Sequence, residues 1–232
     1  MAKSGATLPV ALVLVDSALE LVPRSLREHP SVLATAQRTG HAPERTLLDS
    51  SFHHRAMRRL PDADRRGRPD IVHFCALLAL GSRAAAAGRL RLIIHTYGGE
   101  VISVAPGTRL PRVYDRFKGL MEQLLVEGAV PKDEPLLVVE GNSLERALAD
   151  LGATRVVGLT SRGPRTTWDQ LLQPGSHDGR LALLLGAYPR GDLREPTAAV
   201  AGEVASIADG PMEAWAAEAE LLAHLADALG LK

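Results

Sequence analysis

The chain of 232 residues lacks the features that define several protein classes. It has a single cysteine, Cys75, in an apolar run, so a disulfide framework is excluded and a buried, inert thiol is predicted. No segment reaches the roughly 18 apolar residues that a membrane-spanning helix needs. The first apolar run is followed by Asp16 and Glu20 without a small-residue cleavage site, so we interpret it as a strand rather than a signal peptide. A reducing, cytoplasmic setting fits this composition.

The sequence also lacks the short motifs of the common nucleotide and metal sites. No GxGxxG follows a strand and no GxxxxGK(S/T) occurs, which argues against a Rossmann dinucleotide site and a P-loop. CxxC, HExxH and GxSxG are absent as well. The adjacent His53 and His54 are a poor chelating pair, because neighbouring side chains on a helix point about 100° apart. We therefore expect no metal site, and a packed or hydrogen-bonding role for these histidines.

Charge is balanced in total but unevenly distributed. Thirteen arginines and six acidic residues fall between Arg45 and Arg116, whereas seven acidic residues and no lysine or arginine lie from Glu195 to Asp227. This asymmetry is expected when one face of a protein meets an anion. The excess of arginine over lysine suits bidentate phosphate recognition, although a GC-rich genome would produce the same excess.

The hydrophobic pattern predicts an α/β protein. A first strand is predicted at residues 8–16, a hairpin around Gly98-Gly99, and a run of short apolar strands alternating with helices after residue 135. Apolar strands without alternation indicate a parallel sheet that is covered by helices on both faces. The predicted helices include residues 30–37, ended by Gly40, and residues 112–127.

The segment GRPDIVH places Arg68 in a loop just before a helix, two residues ahead of Asp70. A carboxylate at that position can cap the helix, which we predict to stop at Gly88, and can also hold the guanidinium by two parallel hydrogen bonds. A held arginine is aimed in advance at a base edge or a phosphate. The alternative is a plain helix cap beside a solvated arginine.

The segment TRLPRVYDRF carries three arginines at the entrance of the next predicted helix. Arg109 lies just ahead of the first turn, and the spacing of Arg112 and Arg116 predicts one helical face. Three guanidiniums near a helix N-terminus indicate an anion site, unless they form only a solvated basic face.

Gly186 and Gly191 follow the predicted strand LALLLG, at the end of a strand where α/β sheets bind ligands. Glycines there permit the backbone to approach a ligand closely, although an ordinary turn would use them too.

Taken together and in this order, these segments resemble one family: the pseudouridine-specific N1-methyltransferases of small-subunit ribosomal RNA in archaea and eukaryotes, within the SPOUT superfamily. The matching blocks are LLDSSFHHRAM, GRPDIVHF, TRLPRVYDRFKGLMEQLL, VVGLTSRG and GAYPRG. The resemblance covers essentially the whole chain. It implies a single SPOUT domain over residues 1–232, with a basic insertion around residues 41–118 that forms the RNA-binding face, and a C-terminal trefoil knot.

The resemblance also implies S-adenosylmethionine as the cofactor, held in the knot mainly by backbone groups of three loops. The matching loops contain Thr160, Ser161 and Gly163 in the first; Gly186 and Gly191 in the second; and Ile207, Ala208, Asp209, Gly210, Pro211 and Met212 in the third. Ala208 and Gly210 stand where the family often has a serine and an aromatic residue, and the YPRG turn departs from the usual form.

Roles carried over from the family make Arg68 the RNA-contacting catalytic arginine and Asp70 the carboxylate that holds it. Arg109, Arg112 and Arg116 resemble arginines along the path of the RNA. The implied partners are a hairpin loop of small-subunit rRNA and a second copy of the chain, with no membrane and no metal. Three other functions remain open: a knotted tRNA methyltransferase, a non-enzymatic ribosome-assembly factor and, more distantly, a nucleotide-binding metabolic enzyme.

Overall fold

Residues 10–173 and 180–231 are described by the computed structural model. Leu8 and Pro9, with which the predicted first strand begins, lie outside the described residues, as does the rest of the N-terminal segment. The strands in the described part are β1 (Val10–Ser17), β2 (Leu90–Thr96), β3 (Val101–Val104), β4 (Ala129–Val130), β5 (Leu137–Gly141), β6 (Ala153–Leu159), β7 (Arg180–Gly186) and β8 (Glu203–Ala205).

These strands form one sheet in the order β4-β5-β3-β2-β1-β7-β6-β8. Five neighbouring strands in this sheet are parallel, as the apolar pattern predicts: β2, β1, β7, β6 and β8. The prediction of a parallel sheet is incomplete, because β3, β4 and β5 pair antiparallel. The predicted hairpin at Gly98-Gly99 joins β2 to β3, and a connection this short can only reverse the chain. Two of the strands, β2 and β3, fall within residues 41–118.

Helices flank the sheet on both sides. In the described part they are α1 (Pro30–Thr39), α2 (Ser50–Met57), α3 (Pro69–Gly81), α4 (Arg83–Ala86), α5 (Tyr114–Glu127), α6 (Leu144–Asp150), α7 (Trp168–Leu172), α8 (Glu195–Val200) and α9 (Ala214–Ala228). The predicted stop of α1 is confirmed, since Gly40 adopts a left-handed conformation (φ 73°) and its N–H donates to the Ala36 carbonyl.

Both predicted boundaries of α3 are wrong. Asp70 is not the cap of α3: Arg68 occupies the cap position, because Pro69 starts the helix and needs no N–H partner there. The helix also breaks before Gly88, where the Ser82 hydroxyl accepts from the N–H of Ala85 and starts α4. Ser143 caps α6 in the same way, since its hydroxyl accepts from the backbone N–H of Arg146.

The core lies on both faces of the central strands. Alternate β1 residues enter opposite clusters: Leu12 and Leu14 pack with α3, α5 and α9, whereas Ala11 and Val13 pack with α6. All eight residues of β1 are buried, which explains the unbroken apolar run in the sequence. Full burial of a leucine such as Leu12 contributes about 2–3 kcal/mol, so the central strands form a firm support for the loops at their ends.

The loops that follow the parallel strands meet at one edge of the sheet. At the end of β1, Ala18 donates its N–H to the Ala187 carbonyl just after β7, and its own carbonyl accepts from the N–H of Arg68. Two backbone hydrogen bonds therefore place the GRPDIVH segment beside the turn that follows β7. This edge is where open α/β sheets bind ligands.

Candidate active site

A small cavity lies where β6, β7 and β8 end. Its volume is about 80 Å³. It is lined by Leu159, Thr160, Ser161, Leu185, Ser206, Ile207, Ala208, Gly210, Met212 and Ala217. Leucine side chains from two strand ends form an apolar wall, and hydroxyl and backbone groups form the rest. Such a mixture suits a ligand with one apolar ring and several polar groups.

Of the eight residues predicted to bind a cofactor, the structure places Ile207, Ala208, Gly210 and Met212 on the cavity wall. The other four lie around the cavity without lining it. Gly186 is the last residue of β7, and Gly191 follows in the next turn with φ 95°. Asp209 and Pro211 are exposed, and Asp209 faces the Arg165 guanidinium at 3.5 Å.

Backbone hydrogen bonds hold the loop after β8 against the loop after β6. Ser206 donates its N–H to the Pro164 carbonyl, and Thr166 donates to the Ser206 carbonyl. Gly163 is required at this crossing, because a Cβ there would lie 2.8 Å from the backbone nitrogen of Ala205. Of the first predicted cofactor loop, Thr160 and Ser161 line the cavity, and Gly163 permits the two loops to approach each other.

The Arg68–Asp70 pair forms, as the family resemblance implies, and the alternative of a plain helix cap beside a solvated arginine is wrong. Arg68 Nε donates to Asp70 Oδ1 at 2.8 Å and the terminal nitrogen donates to Oδ2 at 2.7 Å. These hydrogen bonds are the main cause of a raised Arg68 pKa, so the guanidinium remains charged. A guanidinium has five N–H donors, and the pair uses two of them. Arg68, whose side chain is 36% exposed, therefore keeps donors for an anionic or carbonyl ligand.

The three arginines after residue 108 are placed differently from the prediction. The helix begins at Tyr114 instead of Arg112, so Arg112 lies ahead of α5 and shares no helical face with Arg116. The reason is the tertiary anchor at Pro111, whose carbonyl lies 2.7 Å from His73 Nε2 and holds the segment extended. Arg109, Arg112 and Arg116 are all exposed. Within the described part of the chain, none of the three makes an ion pair.

Sequence reasoning missed a polar cluster between α2 and α5. Asp49, which is buried, accepts from the Tyr114 hydroxyl at 2.9 Å and from Lys118 Nζ at 3.5 Å. Burial raises the pKa of Tyr114, which stays a neutral donor. Asp49 and Tyr114 are 65 positions apart, so no local pattern could reveal the contact. The cluster lies close enough to the Arg68–Asp70 pair that the charges of both residues affect the pKa of Tyr114.

A second missed contact joins the basic segment to the turn after β7. The Arg65 guanidinium lies 4.1 Å from the centre of the Tyr188 ring, a cation–π distance. The same ring lies over Gly186, since a Cβ on that glycine would be 2.5 Å from it.

The structure tests the predictions made for His53 and Cys75. His53 is buried and its Nδ1 accepts from the N–H of Asp49, so it has the predicted hydrogen-bonding role, and desolvation lowers its pKa. Cys75 is buried, and burial raises the pKa of its thiol, as expected for an inert cysteine.

Within residues 10–173 and 180–231, no group of three or more His, Cys, Asp or Glu side chains could hold a metal ion. No helix in these ranges has the length and apolar character of a membrane span.

The mixed sheet with a cavity at the ends of β6, β7 and β8 defines a SPOUT-type α/β protein. The crystal structure of Archaeoglobus fulgidus Nep1 bound to S-adenosylhomocysteine superposes with a TM-score of 0.86, at 35% identity, and covers 96% of this chain and 100% of that one. The EMG1/NEP1 methyltransferase family profile matches residues 12–226. The chain belongs to the EMG1/NEP1 methyltransferase family.

Curated relatives agree over nearly the full length. The ribosomal RNA small subunit methyltransferase Nep1 of Thermococcus kodakarensis is 42% identical over 226 residues, which is 95% of this chain and 99% of the relative. The protein of the same name from Pyrobaculum arsenaticum is 45% identical over 183 residues, 78% of this chain and 81% of the relative.

Proposed function

We propose that this protein transfers a methyl group from S-adenosylmethionine to N1 of a pseudouridine in small-subunit ribosomal RNA. The observation that carries the proposal is the bidentate Arg68–Asp70 pair at the same edge of the sheet as the cavity. Arg68 is connected to the turn after β7 through Ala18, and its charge interacts with that of Glu213, the residue after Met212 in the cavity wall. A group held in the cavity and a base held by Arg68 would thus lie side by side.

The chemistry of the cavity lining suits parts of the cofactor that the Archaeoglobus relative suggests. Leu159 and Leu185 suit a purine ring, and the hydroxyls of Thr160 and Ser206 suit polar groups of a ribose or an amino acid. The crossing at Gly163, which a Cβ would fill, permits backbone atoms to approach a ligand. When bound, S-adenosylmethionine supplies an electrophilic methyl group. The loops would supply orientation, which accounts for much of the rate of a bimolecular transfer.

Arg68 would act on the base. Pseudouridine has a free ring N–H where uridine has its glycosidic bond, and negative charge develops on the ring as that proton leaves. The donors that Arg68 keeps free would stabilise this charge at a ring carbonyl. Asp70 is a positioning residue rather than the proton acceptor, since both of its oxygens accept from Arg68.

Arg109, Arg112 and Arg116 would bind the RNA on the face formed by the basic segment around residues 41–118. Their guanidiniums make no ion pair within the described chain, so they are available to phosphates. The target base must be unpaired or flipped, because its reactive edge is hidden in a duplex. A hairpin loop meets this requirement.

A homodimer is supported by an apolar patch on α3. Phe74 and Leu78 are 57% and 38% exposed, and Phe74 lies 5.9 Å from the Trp215 ring on α9. The apolar side of α9 contributes less surface, because Leu222 and Leu225 are buried in the chain's own core. We expect light scattering to give twice the mass of one chain.

The test uses labelled S-adenosylmethionine and two short ribosomal RNA hairpins that differ only in uridine or pseudouridine in the loop. Label on the pseudouridine hairpin alone is the expected result. Equal labelling of both hairpins would contradict the specificity for pseudouridine. Binding without label on either hairpin would favour the assembly-factor alternative, and label on a transfer RNA alone would favour a tRNA methyltransferase.

A further inference from the structure

A second basic site lies outside the residues discussed so far, in a groove beside the carboxyl end of α2. The groove has a volume of about 610 Å³. Its basic side chains and its apolar floor are His29, Arg55, Arg58, Arg59, Leu26 and Leu60. We call it the α2 groove. No acidic residue lines it within the described chain.

Three arginines line the α2 groove together. Arg55 lies in the last turn of α2, and Arg58 and Arg59 follow directly after the helix ends at Met57. All three are exposed, and none makes an ion pair or hydrogen bond within residues 10–173 and 180–231. Arg58 is the C-terminal cap residue of α2, where unpaired helix carbonyls favour cations. The groove therefore concentrates positive charge that the protein itself leaves uncompensated, in a chain of zero net charge.

Contacts between α2 and the loop ahead of Arg68 place the α2 groove near the proposed active site. At its start, α2 is tied to the catalytic segment, since Ser50 donates its N–H to the Gly67 carbonyl at 2.8 Å. At its end, Met57 packs on the same glycine, where a Cβ would lie 2.8 Å from the methionine methyl. Gly67 precedes Arg68 and Met57 precedes Arg58. An eight-residue helix is about 12 Å long, so the groove begins within a few nucleotides of the target base.

The chemistry of the groove favours a sugar–phosphate backbone over other anions. Three neighbouring guanidiniums can bind successive phosphates of one strand, whereas a single small anion would need only one or two guanidiniums. Among the described residues, no Phe, Tyr or Trp side chain lines the groove to stack on a base, so it does not resemble a base pocket. Contacts to phosphates position a nucleic acid without reading its sequence, and a groove without a base pocket is suited to such contacts.

We propose that the α2 groove binds the phosphate backbone of the RNA stem that carries the target loop. The groove would hold the stem while Arg68 engages the base in the loop. This inference rests on the proposed function for the identity of the RNA, but it concerns binding and not methyl transfer.

The test compares a double variant, Arg58→Ala with Arg59→Ala, with a control that loses the same charge elsewhere, Lys132→Ala with Arg146→Ala. Lys132 and Arg146 are exposed on the β4–β5 turn and on α6. Binding of a stem-loop RNA is measured over a range of salt concentrations without cofactor. Each lost phosphate contact on a duplex should reduce the slope of log affinity against log salt by about 0.9, so the groove variant should lose about 1.8. The control should keep the wild-type slope.

Two further arms make the result specific. A single-stranded oligonucleotide with only the loop sequence should bind the wild type and the groove variant equally, because it has no stem. The charge-conserving variant Arg58→Lys with Arg59→Lys should retain the wild-type slope on the stem-loop, which separates lost charge from misfolding. A groove variant with the wild-type slope on the stem-loop would overturn the proposal. So would unchanged RNA binding together with lost binding to phosphatidylserine vesicles, which would indicate a membrane surface instead.

The salt-slope measurement decides the role of the α2 groove whether or not the proposed function is correct. If the wild type binds the stem-loop but methylates no hairpin, the proposed function fails, and the slopes still decide the role of the groove. If methylation of the pseudouridine hairpin succeeds and the slopes are equal, only the groove assignment fails.

Discussion

Replacing Glu218 with glutamine tests the packing between α3 and α9. Glu218 is fully buried, and neither of its oxygens makes a well-formed hydrogen bond within the described chain. Burial raises its pKa from 4.5 to about 8, an effect that the nearby Cys75 thiol and Ala79 backbone only partly offset. The preceding residue, Ala217, lines the proposed cofactor cavity, whereas the Glu218 carboxyl faces Cys75 and Ala79 of α3.

The direction of the pH dependence follows from the raised pKa. Below pH 4.5 the folded and unfolded chains both hold the proton, and Glu218 has no pH-dependent effect on stability. Between pH 4.5 and pH 8 the unfolded chain releases the proton while the folded chain keeps it. The free energy of unfolding therefore falls by about 1.4 kcal/mol per pH unit, and the loss is complete above the folded pKa. At pH 7 the loss amounts to roughly 3 kcal/mol.

Glu218→Gln removes this loss, because an amide does not titrate. Urea unfolding of the wild type and the variant, at one protein concentration, should show a stability difference that grows by about 3 kcal/mol between pH 5 and pH 7 in favour of the variant. Asp227→Asn is the control, since Asp227 is exposed on the same helix. It should follow the wild type at every pH. A difference between Glu218→Gln and the wild type that stays constant between these pH values would refute the argument.

Two further substitutions test the active site. Asp70→Ala should lower kcat for the RNA by roughly tenfold to a hundredfold, because Arg68 loses the carboxylate that positions it. Cofactor affinity, measured by calorimetry, should not change, and Asp70→Glu should recover part of the activity. A kcat equal to that of the wild type would argue against a positioning role. Gly163→Ala should weaken cofactor binding by about tenfold or more, because its Cβ forces apart the loops after β6 and β8, whereas Gly81→Ala, where nothing lies within 4 Å of the added Cβ, should bind normally.

Several features of the fold could be predicted because their causes are local. The end of α1 at Gly40 follows from one residue that tolerates a left-handed backbone, and the β2–β3 hairpin follows from two glycines between apolar runs. The contact between Arg68 and Asp70 was also predictable, since the two residues are two positions apart. Local errors arose where another residue competed for the same role, as when Pro69 moved the start of α3 ahead of Asp70.

The sequence by itself thus determined the α/β pattern, the arginine–carboxylate pair and the resemblance to a methyltransferase family, because each depends on neighbours along the chain. Only the tertiary structure decided which distant residues meet. It brought Tyr114 to Asp49, buried Glu218 against α3, and joined His29 to the arginines of α2 in one groove. The physical reason is that these contacts depend on the order of strands in the sheet and on how helices pack across it. Neither is specified by the spacing of residues along the chain.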